Sequence, residues 1–151
     1  MKKIFLCIIS ILLLQNCSVF IPLKNLPNPD GQHIVGTDVI ILEDKNRFET
    51  FTKETDDYRK IIVQIWYPAT EPSDSIYPYL DYKDLKTPYI AKRLEVSEKI
   101  INRVNSIQAN GYYKAKPKNN EFPVIIFSHG LGGNRIQNTA NIESLASNGY
   151  I

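Results

Sequence analysis

The stretch Phe122-Pro-Val-Ile-Ile-Phe-Ser-His-Gly-Leu-Gly-Gly133 constrains this chain more than any other. Its run Val124 to Phe127 is apolar on consecutive rather than alternate residues, the pattern of a strand covered on both faces and so of a parallel sheet. The run ends in Ser-His-Gly and further glycines, after which the spacing predicts a helix from about Arg135 to Asn148. A buried strand that stops at a glycine-rich turn and hands over to a helix gathers backbone N–H groups where an anion or a developing oxyanion can be held. The fold class is therefore α/β, and residues 129–133 form a candidate donor loop. A plain strand-to-helix turn is the alternative.

The remaining segments are read around that strand. Gly36 to Leu42 reads as a first strand, and Arg59 to Pro68 as a second, rich in β-branched and aromatic residues and stopped by its proline. The charged segment Glu43 to Tyr58 suits an exposed connection between antiparallel strands. Ala69 to Pro88 carries Pro72, Pro78 and Pro88 among tyrosines, which predicts a loop packed by its aromatics. From Ala91 to Ala109, Val96, Ile100, Val104 and Ile107 recur at helical spacing, with Leu94 and Ile101 beside them. One core-facing helix is expected there, ended by Asn110-Gly111. Lys114 to Glu121 reads as a polar turn. In the last helix Ile136, Ala140, Ile142, Leu145 and Ala146 are expected to face the sheet, with Asn148-Gly149 as the stop and Tyr150-Ile151 as the start of another strand.

The N-terminus has a different character. Met-Lys-Lys is followed by an apolar run from Ile4 to Leu14. That is about half of the roughly 20 residues a membrane-spanning helix needs, so it reads as an export signal. Leu14-Gln15-Asn16-Cys17 resembles the lipobox of bacterial lipoproteins, in which the cysteine becomes the lipidated first residue. Asn16 stands where that pattern prefers Gly, Ala or Ser, and an ordinary cleaved signal giving a periplasmic or secreted protein is the alternative. The expected organisation is a signal over 1–17, a Pro- and Asn-containing tether over 18–34 and a folded portion over 35–151, with a membrane as partner through lipid on Cys17. Losing Cys7 with the signal leaves Cys17 alone, so no intramolecular disulfide forms. Losing Lys2 and Lys3 takes the 18 basic side chains to 16, matching the 16 acidic ones, and a neutral chain gives no reason to expect nucleic acid as a partner.

The chemistry-bearing residues concentrate in the loop. Gly130-Leu-Gly-Gly133 lacks the Gly-Lys-Ser/Thr of a phosphate loop and the spaced glycines of a dinucleotide fold. It matches the His-Gly-rich oxyanion loop after the third strand of α/β-hydrolases. His129 reads as a brace for the turn rather than a base, because the hydrolase histidine comes last in chain order. His33 and His129 lie far apart without clustered acids or thiols, so neither a metal nor a cofactor is expected. No serine stands in Gly-x-Ser-x-Gly, and Ser128 reads as a hydrogen-bonding residue at the strand end.

Arg59-Lys-Ile-Ile-Val-Gln-Ile-Trp-Tyr-Pro-Ala69 and Phe122 to Arg135 together resemble corresponding segments of the plasma-type platelet-activating factor acetylhydrolase family and its bacterial, dienelactone-hydrolase-like relatives. Gly36-Thr-Asp is similar to the strand that opens that domain, and Leu145 to Ile151 to the helix end and next strand. The resemblance implies the N-terminal part of an α/β-hydrolase sheet: an antiparallel hairpin, a parallel strand, an oxyanion loop and a helix. It implies hydrolysis of short-chain acyl or phospholipid esters through a serine acyl-enzyme. The Leu131 backbone N–H would be an oxyanion donor, in a turn shaped by Gly130, Gly132 and Gly133 and supported by His129. The second donor, nucleophile, acid and base are expected beyond Ile151, leaving these residues inactive alone. The missing central strand would expose two apolar edges, so a marginal or insoluble product is expected. Two other readings are a non-catalytic surface lipoprotein serving as an interaction module, and a hydrolase of non-lipid esters such as a dienelactone or polyester.

Overall fold

A computed structural model describes residues 24–151; the expected signal segment, Cys17 and the first part of the tether lie outside the described residues. The elements in chain order are β1 (Ile34–Phe48), β2 (Tyr58–Ala69), α1 (Lys83–Leu94), α2 (Glu98–Val104), β3 (Tyr112–Tyr113) and α3 (Thr139–Ser147). They fall into two compact units: Leu26–Asp81 with Gln108–Ile151, and a smaller one holding Tyr82–Ile107.

The larger unit is built on a mixed sheet in the order β2-β1-β3. The two expected strands form its antiparallel pair, in continuous register from Ile34 opposite Ala69 to Asp44 opposite Arg59. Each is longer than its apolar stretch suggests, and the connection shrinks to residues 49–57. Strand alternation sends successive side chains to opposite faces. On one face Val35 and Trp66 pack with Ala146 of α3, bordered by Ile142. On the other Tyr67 and Ala69 pack with Ala115, bordered by Ile34, Ile65 and Tyr112. The Tyr67 hydroxyl donates to the Ala115 carbonyl at 2.7 Å, so the polar end of a buried ring is satisfied. Strand β3, within a stretch that gave no strand signal, runs parallel to Gly36 and Thr37.

Residues 26–33, expected as the end of a tether, are instead fastened to this unit. Leu26 N–H donates to the Gln108 carbonyl at 3.0 Å, and His33 N–H to the Ser147 carbonyl at 2.9 Å. The Asp30 carboxylate accepts from Ser144 Oγ at 2.6 Å and Asn148 Nδ2 at 3.1 Å. The Ser144 hydroxyl and then the neighbouring N–H donors hold this carboxyl below its usual range.

Further expectations are corrected. The single helix over 91–109 is two helices, α1 and α2, and α1 begins inside the expected loop despite holding Pro88. The break lies at Glu95, in the left-handed region at φ 54°. Its N–H bonds the Lys92 carbonyl at 3.3 Å and the Val96 N–H reaches Ala91 at 3.0 Å. This is a Schellman ending formed by a residue other than the usual glycine. Asn110-Gly111 accordingly caps no helix, since α2 ends at Val104.

The last helix starts at Thr139 rather than near Arg135. Asn134 Oδ1 accepts the Ile136 N–H at 3.1 Å, a local side-chain bond that competes with helix initiation. Its inward face is also rotated: Thr139, Glu143, Ala146 and Ser147 are buried, while Leu145 is 37% exposed. The helix ends as expected, with Gly149 at φ 92° and Schellman bonds from Gly149 to Ala146 and Tyr150 to Leu145.

The apolar run Val124 to Phe127, expected as a covered strand, is not a strand of the sheet and is not covered; it pairs at one residue. Ile151 N–H donates to the Pro123 carbonyl at 2.9 Å and its carbonyl accepts from Ile125 N–H at 2.6 Å. Bonds from one residue to both flanks of Val124 are the parallel pattern. This is the run's one backbone pairing among the described residues, and Val124 and Ile126 are 67% and 92% exposed.

Candidate functional site

Residues 130–133 close a β-turn in which Gly133 N–H donates to the Gly130 carbonyl at 2.9 Å. Gly132, the third residue, sits at φ 79°, the type II arrangement that a side chain there would strain. Gly133 is closely packed: a Cβ would lie 3.1 Å from the Gly130 carbonyl oxygen and would push the Gln137 side-chain end, 2.3 Å away, aside. A Cβ on Gly130 would meet nothing within 4 Å, so the structure gives no steric reason for that glycine.

Leu131 takes the second position of the turn, with its side chain fully exposed and no acceptor for its N–H among the described residues. His129 is exposed, and its Nδ1 lies 3.0 Å from the Gly130 carbonyl oxygen, a bond the Nδ1–H tautomer makes by donating. The five residues His129 to Gly133 are thus brought together in one turn, whereas Cys17 lies outside the described residues. His33 contacts Lys118 Nζ through Nδ1 at 3.0 Å and stands edge-on to Phe122. Neither histidine hydrogen-bonds a serine or a carboxylate among the described residues.

The sequence reading missed what holds the turn from below. Arg135, next but one after Gly133, forms an ion pair with Asp81, and the side chains are 17% and 5% exposed. The same Asp81 oxygen accepts from the Tyr77 hydroxyl at 2.7 Å. Burial first, and then the adjacent carboxylate, push the Tyr77 phenol above its ordinary value, so it remains a neutral donor. The Arg135 Nε–H is also enclosed and has no acceptor among the described residues.

Glu143 is fully buried on α3. One of its oxygens accepts from the N–H groups of Asn110 at 2.8 Å and Gly111 at 2.9 Å, and the other from Asn110 Nδ2 at 2.8 Å. These donors satisfy a carboxylate that burial alone would make costly. They also explain why Asn110-Gly111 occurs here: the pair receives a helix side chain from outside its own segment. Glu143 could have been suspected from its position one turn from Thr139 and Ala146, on a face that then holds a charge. The Arg135 and Asp81 pairing had no such signal. Glu143 also lines an enclosed space of about 10 Å³ with Thr37, Gln64, Trp66, Tyr77 and Thr139, far too small for an acyl chain.

Geometry of this kind can present a backbone donor at the end of an apolar run and hold it still. Comparison with known proteins gives the arrangement a family. The family model for platelet-activating factor acetylhydrolase, isoform II, matches residues 19–151. Among solved structures, a ferulic acid esterase from Streptomyces cinnamoneus is similar at 26% sequence identity with a TM-score of 0.65, over 84% of this chain and 34% of that one. The chain therefore spans about a third of that relative's length. No curated protein matches the chain. On the extent of the family match, this chain belongs to the family of platelet-activating factor acetylhydrolase, isoform II.

Proposed function

We propose that residues 130–133 form one half of the oxyanion hole of an exported serine ester hydrolase, with the Leu131 backbone N–H as donor. The observation that carries this reading is the type II turn, with a Leu131 N–H that has no acceptor among the described residues, in a chain of this family. When a serine attacks an acyl carbonyl, negative charge moves onto the carbonyl oxygen, and a fixed N–H near 2.9 Å from it lowers the barrier. Losing one such donor costs about 3 kcal/mol of transition-state stabilisation. The serine's proton passes to a histidine and then to the departing alcohol, leaving an acyl-enzyme that water hydrolyses. The reading takes the nucleophile, its base and the acid from the remainder of the full-length protein. His129 and Gly130 to Gly133 keep the turn in shape, and lipid on Cys17 holds the protein at the cell envelope.

Full-length protein assayed on p-nitrophenyl acetate, with and without a serine-reactive phosphonate, tests this directly. Hydrolysis abolished by the phosphonate is expected; no phosphonate-sensitive hydrolysis would sink the reading. The anchor is checked separately by fatty-acid labelling of wild type and Cys17→Ser, with label expected on wild type alone.

A second reading, hydrolysis of non-lipid esters, is favoured by the likeness to a ferulic acid esterase. Relative kcat/KM on an acetylated phospholipid and on a feruloyl ester separates the two, since an enzyme shaped for one acyl partner discriminates through its transition state.

A further inference from the structure

We propose that Arg135 is a positioning residue for the oxyanion turn, acting through its ion pair with Asp81 and the Tyr77 hydroxyl. The inference rests on the reading of residues 130–133 given above. It starts from how little else holds the turn. Upstream, the exposed run 123–127 is tied at Ile151 alone among the described residues. Downstream, Asn134 is the one residue between Gly133 and Arg135, and it is locked on both sides. Its side chain accepts the Ile136 N–H at 3.1 Å, and its carbonyl accepts the Gln137 N–H at 3.1 Å. A shift of Arg135 is therefore passed to the turn rather than absorbed.

Arg135 in turn is connected to the sheet by continuous contacts. Asp81 joins it to Tyr77, whose ring centroid lies 5.2 Å from that of Tyr113 in β3. Tyr77 N–H also donates to the Gly111 carbonyl at 2.9 Å, and Lys114 N–H to the Thr37 carbonyl of β1 at 2.8 Å. Leu80 and Ile136, beside the two charged partners in sequence, are 6% and 8% exposed and hold their backbones in the core.

An enclosed ion pair of this kind is poor value as a stabiliser, because desolvating both charges offsets most of their attraction. Its geometric effect is larger. A guanidinium held by a carboxylate has a fixed direction, and a donor displaced by about 1 Å can cost a hundredfold in rate. A positioning residue should therefore act on kcat more than on KM.

The test uses full-length protein on p-nitrophenyl acetate. Arg135→Gln is expected to lower kcat by about tenfold or more while KM stays within about twofold, with a parallel fall in the rate of phosphonylation by a serine-reactive phosphonate. Arg135→Gln could fail to fold because it strands the Asp81 carboxylate, so the double variant Asp81→Asn/Arg135→Gln removes both charges together. It is expected to melt near wild type and to show the same kcat loss, with Tyr77→Phe showing a smaller one. If the folded double variant and Tyr77→Phe keep kcat within about twofold, or if their losses lie in KM instead, the inference is overturned. Wild-type protein without phosphonate-sensitive hydrolysis sinks the hydrolase reading and this inference with it. An active wild type with unaffected variants sinks this inference alone.

Discussion

Just upstream of Gly130 the chain is apolar, exposed and paired through one residue; downstream, the residues it encloses are mostly polar. The upstream run Val124 to Phe127 has the more hydrophobic sequence, but Ile126 is 92% exposed. The downstream segment buries Thr139, Glu143 and Ser147 to a degree usually reserved for aliphatic residues, with Arg135 half-buried beside them. The contrast teaches that burial here follows available partners rather than residue type. Glu143 is enclosed because three N–H donors meet it, whereas the isoleucines have no second layer over them among the described residues. The turn between the two regions takes its rigidity from the polar side.

That contrast can be broken by substitution. The largest expected effect is Trp66→Ala, which empties the contact among β1, β2 and α3 and should cost about 4 kcal/mol in urea unfolding of the full-length protein. A cost below about 1 kcal/mol would show that α3 is not held by that core. Glu143→Ala should cost about 3 kcal/mol, because it strands the three donors of Asn110 and Gly111, and Glu143→Gln, which keeps an acceptor, less. Gly132→Ala should cost about 1 kcal/mol through its positive φ, read from the unfolding midpoint. Ile126→Ser should change stability by less than about 0.5 kcal/mol, since the side chain is already in water. A larger loss would show that a further layer covers the run. The smallest effect is one of pH. Tyr77 has a raised phenol pKa, so its contribution is constant below the ordinary value of 10.0 and falls as pH rises above it, when the unfolded state loses the proton first. Tyr77→Phe should flatten that part of the stability profile.

The antiparallel hairpin and the glycine turn were legible because both depend on local chemistry, β-branched and aromatic content in one case and positive φ in the other. The helices were less so. Glu95 ends α1 in a conformation that glycine usually advertises, and Pro88 sits inside a helix it was expected to exclude. The onset of α3 was hidden by Asn134, whose side chain substitutes for a helical bond. Strand β3 is two residues long and exists because β1 offers it an edge, which no local pattern encodes. In the site, the turn residues could be named from the sequence, but Arg135 and Asp81 are 54 positions apart and only the fold joins them.

The bond between His129 and Gly130 makes the imidazole a reporter. When Nδ1 donates to that carbonyl, Nε2 takes no part in the contact. Nitrogen chemical shifts distinguish the two tautomers, so a single labelled histidine can register whether the turn is closed, in solution and without substrate. Opening of the turn would break the contact between the ring and Gly130, and the histidine signal would report it directly.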